Sequence, residues 1–496
     1  MNENSNISNS EQEIFDLIII GGGTSATFLC LSILKIDPEF KILIIEKSET
    51  FPQKIGESVV DMTALFIESL GIQHLLEKHV QKTGVRFLFN ETNSSDPSKI
   101  AEFASPTFPG LIKGYHLNRS VFDEQMLDEV KGKGVVVFRP ATIVAANFID
   151  FNNELEIELE GKTIRVRSKW LVDASGRARY IANKLNWNDQ KIELNTGSIM
   201  AHFKNIAPVE LWDTPKNEHW DTCSVGLRKF STTHLMRKNS WWWIIRLDDV
   251  NTSIGVVFDK NEVQFDEHES YFLELLETDA QLSIITKNAE RGPIRHIESV
   301  PYVSEKLYSK GIALIGDSGA FLDPLISPGL ELIGQQSIWL ANLFTNEKQT
   351  GIFKESAWKK YNNTFLKAYA SRLRIYSVAY NFIHSYDLFT AWLIQGNYVY
   401  FSGLVFPSIV FKSKLKNPLR FNLMERIALN FFTWRFTKFQ ASRESQGRIS
   451  KTAPNTLTYS DVRVPKSFRF YFVPIQLLLK SLKAYLILEL KEIKKA

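Results

Sequence analysis

FDLIIIGGGTSATFLC, Phe15–Cys30, is the stretch on which the fold turns. Phe15–Ile20 holds one polar side chain among apolar ones, the composition of a strand buried on both faces. The glycines then break the strand, and Thr24 to Ile36 is apolar at helical spacing until Pro38 stops it. KILIIE, Lys41–Glu46, is a second buried strand. Strand, glycine turn, helix, strand is a βαβ unit. Within it Gly21, Gly23 and Ala26 stand as G-x-G-x-x-A. Gly21 allows the tight turn, Gly23 lets backbone N–H groups approach a pyrophosphate, and Ala26 lets the helix lie close on the sheet. Thr24 and Ser25 occupy the first helical turn. Glu46, 20 residues past Ala26, ends the second strand beside Lys47, where an acid binds a ribose 2′-hydroxyl. The pattern predicts a dinucleotide ligand.

Three later segments narrow the choice. RSVFDEQML, Arg119–Leu127, follows a strand-like GYHLN and sets a cation at a helix start. WLVDASG, Trp170–Gly176, ends an apolar strand in Asp173. GIALIGDSGAFLDPLISPG, Gly311–Gly329, ends a strand in Gly316 and Asp317, where a carboxylate accepts from a ribityl hydroxyl. The helix after Pro328 would then point its N-terminus at the electron-rich end of a bound flavin ring, with Pro324, Gly329 and Leu330 expected beside it. In this order and spacing the segments resemble the FAD-dependent oxidoreductases of the p-hydroxybenzoate-hydroxylase fold, over residues 14–345. The resemblance implies FAD and an α/β architecture: a Rossmann-like FAD-binding domain with an inserted β-sheet substrate domain and a helical C-terminal lobe. The boundaries expected are 14–190 with 290–345 for the FAD domain, 191–289 for the substrate-side sheet and 346–496 for the basic helical region. Residues 1–13 read as a disordered polar leader. There is no second glycine-rich βαβ unit for NAD(P)H, and the resemblance implies reduced flavin from a separate reductase or from transient NAD(P)H.

KIGESVVDMTALFIESLGI, Lys54–Ile72, points further. Gly56, Glu57 and Ser58 before a helix resemble the strap that lies against the isoalloxazine in flavin-dependent halogenases of the tryptophan and phenol type. Lys82, in HVQKTGVRF, falls where the phenol-type members carry their essential lysine. The resemblance implies that reduced FAD and oxygen give a C4a-hydroperoxide, which chloride or bromide attacks. Lys82 then holds the hypohalous acid, or carries it as a haloamine, to an electron-rich aromatic such as a free or carrier-bound phenol or pyrrole. SWWWIIRLDD matches the family's W-x-W-x-I-P at Trp241, Trp243 and Ile245. On a period of two these share one strand face, with Trp242 and Ile244 on the other. The implied role of the first face is a wall that keeps substrate from the flavin.

Two residues depart from the pattern. Arg246 replaces the proline, so the strand need not turn away there. Pro328 stands where the family has Ser or Thr before Gly329, near the place at which backbone N–H groups hold the halide. Proline offers no N–H, so one donor of the anion cup is missing. Ile326 stands where tryptophan halogenases place a glutamate, a position at which phenol-type members differ too. A second reading therefore stays open: a monooxygenase, or a dehydrogenase/reductase, acting on a hydrophobic or aromatic substrate without halide.

Composition bounds the setting. Of 496 residues two are cysteines, Cys30 and Cys223, which excludes a disulfide framework and suits a reducing, cytoplasmic compartment. The net charge of +4 conceals an asymmetry, because residues 412–496 carry 18 Lys+Arg against 5 Asp+Glu, +13, leaving −9 for the rest. No nucleic-acid-binding motif accompanies that charge, so a peripheral membrane contact or an acidic carrier is the partner it suggests. Leu388–Phe411 is uncharged but interrupted by Gln395, Gly396, Asn397, Ser402, Gly403 and Pro407, which reads as buried helix or a pocket entrance rather than a membrane span. Residues 473–496 read as an amphipathic helix. No metal is expected.

Overall fold

The computed structural model describes residues 13–106, 113–212, 228–411, 423–446 and 473–493. The leader as far as residue 12, Cys223 and much of the basic tail lie outside them.

The opening strand, Glu13–Ile20, is the centre of a parallel sheet, with Ile42–Ile45 on one side and Lys162–Asp173 on the other. Val136–Phe138 and Ile312–Leu314 extend the two flanks. The antiparallel strands Ala141–Asn147 and Asn153–Leu159 form an excursion on Lys162–Asp173. Both faces are covered, which is why these strands are apolar without alternation. The helix Thr24–Leu34 buries nearly every residue, packing against the long helix Gly329–Thr350. Ile20 pairs with Asp173 and with Ile45, and Asp173 with Leu314, so the carboxyl ends of the strands are level. A crevice at that edge is where an open parallel sheet binds its ligand.

The second sheet runs Thr196–Lys204, Asn251–Asp259, Ser240–Arg246, Thr232–Arg237, Gly84–Phe89, Ala101–Pro106. It draws its last two strands from far upstream, and Thr232–Arg237 pairs with Gly84–Phe89 in parallel. The tryptophan strand alternates as its period requires. Trp241, Trp243 and Ile245 join the core shared with the parallel sheet, whereas Trp242 and Ile244 pack with Leu235, Val256 and Phe272 in a separate core behind. Trp242 stacks on Phe272 at 5.6 Å between centroids. Gly255 lies opposite Trp243, and any Cβ there would overlap the indole. Arg246 continues the strand, as the missing proline allows.

The C-terminal region is helical: Glu355–Tyr380, Tyr386–Tyr400, a π-turn at Phe401–Val405, Phe406–Phe411, Leu423–Ser445 and Val473–Ile493. Among the described residues no helix is long and apolar enough to cross a membrane. Val473–Ile493 packs on Tyr386–Tyr400, where Gln395 Nε2 donates to the Ser481 carbonyl at 2.7 Å. It leaves Leu479, Leu482, Leu486 and Leu490 exposed, and the neighbouring helix exposes Ile427, Phe431 and Trp434.

Candidate active site

A cavity of about 570 Å³ opens along the carboxyl edge of the parallel sheet. Gly21, with φ +96°, turns so tightly that a Cβ would stand 2.6 Å from the Ala174 carbonyl oxygen. Gly23, Thr24 and Ser25 then present the start of the first helix to the cavity. Glu46 is held by backbone donors, Gly22 N–H at 2.7 Å and Ser48 N–H at 2.8 Å, and lines the cavity beside Lys47. The strap residues Gly56, Glu57 and Ser58 lie further along, with Asp317, Pro324, Gly329 and Leu330 opposite. Glu57 accepts from His202 Nε2 at 2.6 Å. Trp241, Trp243 and Ile245 close the wall. Trp241 Nε1–H donates to the Tyr380 hydroxyl at 2.9 Å, which donates to Asp323 at 2.6 Å. The tryptophan face is thereby tied to the loop that leads into Gly329–Thr350.

A buried knot supports the strap. Asp123 accepts from Thr24 Oγ1 at 2.7 Å and from Arg119 Nε at 3.1 Å, and it pairs with Lys54. Burial pushes the Asp123 carboxyl up, but Arg119 and Lys54 outweigh it and hold the group below the usual carboxylate range. Arg119 also donates to the Gly56 carbonyl at 3.1 Å. Its guanidinium crosses the space a Cβ would fill at Gly56, whose φ is +93°. Arg119 thus lines the cavity, but its donors are spent on the protein itself. Lys54 and Asp123 were not legible as site residues, although Asp123 lies one helical turn after Arg119.

Three of the residues expected to bind the cofactor do not line this cavity. Ala26 lies buried beneath it, as its packing role requires. Asp173 is turned inward, accepting from Ser175 N–H at 2.9 Å and Ile181 N–H at 2.7 Å, so it caps a short helix and Ala174 to Ala178 face the cavity in its place. Gly316 packs against Ser25, where a side chain would collide. The rest fit an FAD: a glycine-opened turn, helix N–H groups for a pyrophosphate, an acid at each end and an apolar wall. The residues that would hold it are Gly21, Gly23, Thr24, Ser25, Glu46 and Lys47 at one end, and Gly56 to Ser58, Asp317, Pro324, Gly329 and Leu330 at the other.

A second cavity, about 200 Å³, lies beyond the strap. Its walls are mostly apolar, including Phe87, Leu325, Ile375, Tyr376, Trp392 and Phe401. The uncharged Leu388–Phe411 stretch therefore supplies part of a pocket wall. His234 and Ser327 line both cavities. Lys82 lies in the second, buried, with Nζ 2.9 Å from Ser58 Oγ. Burial lowers the lysine from 10.5 to about 8 against the attraction of Asp61, and burial raises Asp61 in turn. Asp61, Glu331 and Arg372 are the other charged groups on this cavity, and sequence reading found none of them. Lys82 pairs in register with Gly114, where a Cβ would stand 3.3 Å from its stem.

The turn before Gly329 is poor in anion donors. Ser327 has φ +54°, and its N–H is committed to the Pro324 carbonyl at 2.9 Å. Pro328 has no N–H and faces the second cavity. Gly329 is the first residue past them with an N–H to offer.

The tryptophan halogenase family matches residues 89–384. A 1H-pyrrole-2-carbonyl-[peptidyl-carrier protein] chlorinase of Pseudomonas fluorescens is 23% identical, over 64% of this chain and 73% of its own. A tryptophan 2-halogenase of Chondromyces crocatus is 28% identical, with 64% of this chain matching 58% of that protein. Among solved structures, halogenase PltM in complex with phloroglucinol and FAD superimposes with a TM-score of 0.74 at 18% identity, over 88% of this chain and 93% of that one. Flavin-dependent brominase Bmp2 gives 0.65 at 21% identity, over 86% and 100%. These likenesses carry the fold.

Proposed function

The chain belongs to the tryptophan halogenase family, flavin-dependent enzymes that use FAD, and on that premise we propose that it halogenates a single-ring, electron-rich aromatic such as a phenol or pyrrole. The observation that carries the reading is Lys82, buried at the boundary of two cavities and bonded to the strap that faces the first. FAD, reduced and reacting with oxygen, supplies the oxidising equivalents that convert halide into an electrophile. Trp241, Trp243 and Ile245 wall off the substrate from that chemistry. Lys82 holds the oxidised halogen in the second cavity, by hydrogen bonding from its ammonium or by covalent capture on its amine. Asp61 and Glu331 supply carboxylates for the proton that the ring releases.

Size supports the substrate class. A dry cavity of about 150 Å³ holds benzene, and the one here is about 200 Å³. That suits one ring and leaves little room for an amino acid bearing two. A carrier-bound ring is a second form of that substrate class, and the names of two relatives, a 1H-pyrrole-2-carbonyl-[peptidyl-carrier protein] chlorinase and brominase, support it. Pro328 favours the competing reading, an oxygenase without halide use. The test is turnover with reduced FAD, oxygen and bromide on monochlorodimedone or a simple phenol. Brominated product supports the proposal, and oxygenated product without bromine overturns it. The exposed leucine stripe of Val473–Ile493 and the basic tail support peripheral contact with an anionic membrane. Failure to pellet with anionic liposomes at low salt would refute that contact.

A further inference from the structure

A directed chain of hydrogen bonds runs away from Lys82. Gly114–His116 pairs with Ser58–Val59 on one side and Val80–Lys82 on the other, so one small sheet gathers Ser58, His116 and Lys82. His116 Nδ1 lies 2.9 Å from the Arg246 carbonyl oxygen and Nε2 lies 2.9 Å from Thr232 Oγ1. Thr232 Oγ1 lies 3.2 Å from Ser58 Oγ, and Ser58 Oγ 2.9 Å from Lys82 Nζ. Every member is buried.

Donor bookkeeping gives the chain one direction. A carbonyl only accepts, so His116 Nδ1 carries the proton. Burial, with Lys82 adding repulsion, holds His116 neutral and pushes its pKa down to about 3, so Nε2 is an acceptor. Thr232 then spends its proton on Nε2 and must accept from Ser58. Ser58 spends its proton on Thr232 and can only accept from Lys82. The anchoring carbonyl belongs to Arg246, which ends the tryptophan strand.

We infer that His116, acting through Thr232, is a positioning residue that keeps Ser58 an acceptor toward Lys82. One N–H of Lys82 is thereby pinned to the strap, and the remaining positions of Nζ point to the second cavity. Ser58 is also prevented from donating to the amine lone pair, the electrons that would capture an oxidised halogen. This rests on Lys82 being the delivering group. The other titratable groups around it are Asp61 on the helix after the strap, His234 on Thr232–Arg237, and Glu331, Arg372, Tyr376 and Tyr400 across the cavity.

Thr232→Val removes the link at nearly constant shape, and Thr232→Ser restores it. Freed of its acceptor, Ser58 can donate to the neutral amine and stabilise it, so the Lys82 pKa should fall. In the FAD-loaded enzyme, competitive acetylation of Lys82 with acetic anhydride, followed by mass spectrometry across pH, reads that pKa without requiring turnover. The valine variant should shift the labelling midpoint down by about half a pH unit or more. It should lower kcat for bromination by about tenfold to hundredfold, with KM for the phenol within about twofold. The serine variant should restore both. His116→Gln, which keeps one donor and one acceptor, should lie nearer the wild type than His116→Leu, and this pair decides the matter if the valine variant does not fold. An unchanged midpoint overturns the inference, even if kcat falls. If no variant or wild type brominates while the midpoint moves as stated, the relay stands and the halogenation reading fails.

Discussion

Lys82→Met separates catalysis from stability. The folded protein lowers this lysine from 10.5 to about 8. At about 1.4 kcal/mol per pH unit, burying the ammonium below pH 8 costs the fold roughly 3 kcal/mol. Methionine has similar length and no charge, so the substitution removes that cost. That cost is already net of the attraction of Asp61, so what the variant loses besides is the hydrogen bond to Ser58, worth about 1–3 kcal/mol. The balance at pH 7 lies between neutral and about 2 kcal/mol stabilising. Breaking a buried ion pair ordinarily destabilises by about 3–5 kcal/mol. The pH dependence has a definite sign. Because the folded pKa is the lower one, the unfolded chain binds more protons between about pH 8 and 10.5, so wild-type stability recovers as pH rises through that window. The variant gains nothing there. Thermal unfolding at pH 7, 8 and 9.5 should show a melting temperature at or above wild type at pH 7, and a difference that moves in favour of wild type at higher pH. Halogenated product, followed by mass spectrometry, should disappear. A variant clearly less stable at pH 7, a gap moving the other way, or persisting halogenation would refute the reasoning.

Four further outcomes follow from the same geometry. Gly56→Ala puts a side chain at φ +93°, 2.7 Å from Arg119 Nη1. At about 1–3 kcal/mol of strain it should weaken FAD retention about tenfold or more in a flavin-fluorescence titration. Trp243→Leu should increase hydrogen peroxide release relative to halogenated product, because it opens the cavity wall. Trp242→Leu should instead lower stability by about 2–4 kcal/mol and leave FAD affinity within about twofold. Pro328→Thr restores an N–H where Ser327's is already engaged. It should lower the KM for bromide about tenfold, and an unchanged KM would place the halide elsewhere.

The residues that could be read in advance are those whose geometry depends on close neighbours. The βαβ unit, the tight turn at Gly21, the helix start at Thr24 and the division of Trp241 and Trp243 from Trp242 follow from strand and helix periods, which are local. Asp173 was misplaced because a strand-end acid faces either the ligand or a following helix, and only packing chooses; here Ile181 N–H wins it. The parallel pairing of Thr232–Arg237 with Gly84–Phe89 lay outside any local pattern, since it joins segments more than a hundred residues apart.

The sequence alone determined the glycine-opened βαβ unit, because backbone sterics and strand and helix periods are properties of short segments, and its resemblance to the flavin-dependent halogenases pointed to FAD, to the strap at Gly56–Ser58 and to Lys82. Only the tertiary structure decided what surrounds that lysine. Ser58 and Thr232 are 174 residues apart and His116 and Arg246 are 130 apart, yet their hydrogen bonds lie within one chain of contacts. Burial supplies the reason: away from water each polar group must find a protein partner, and those partners come from whichever strands the fold brings alongside.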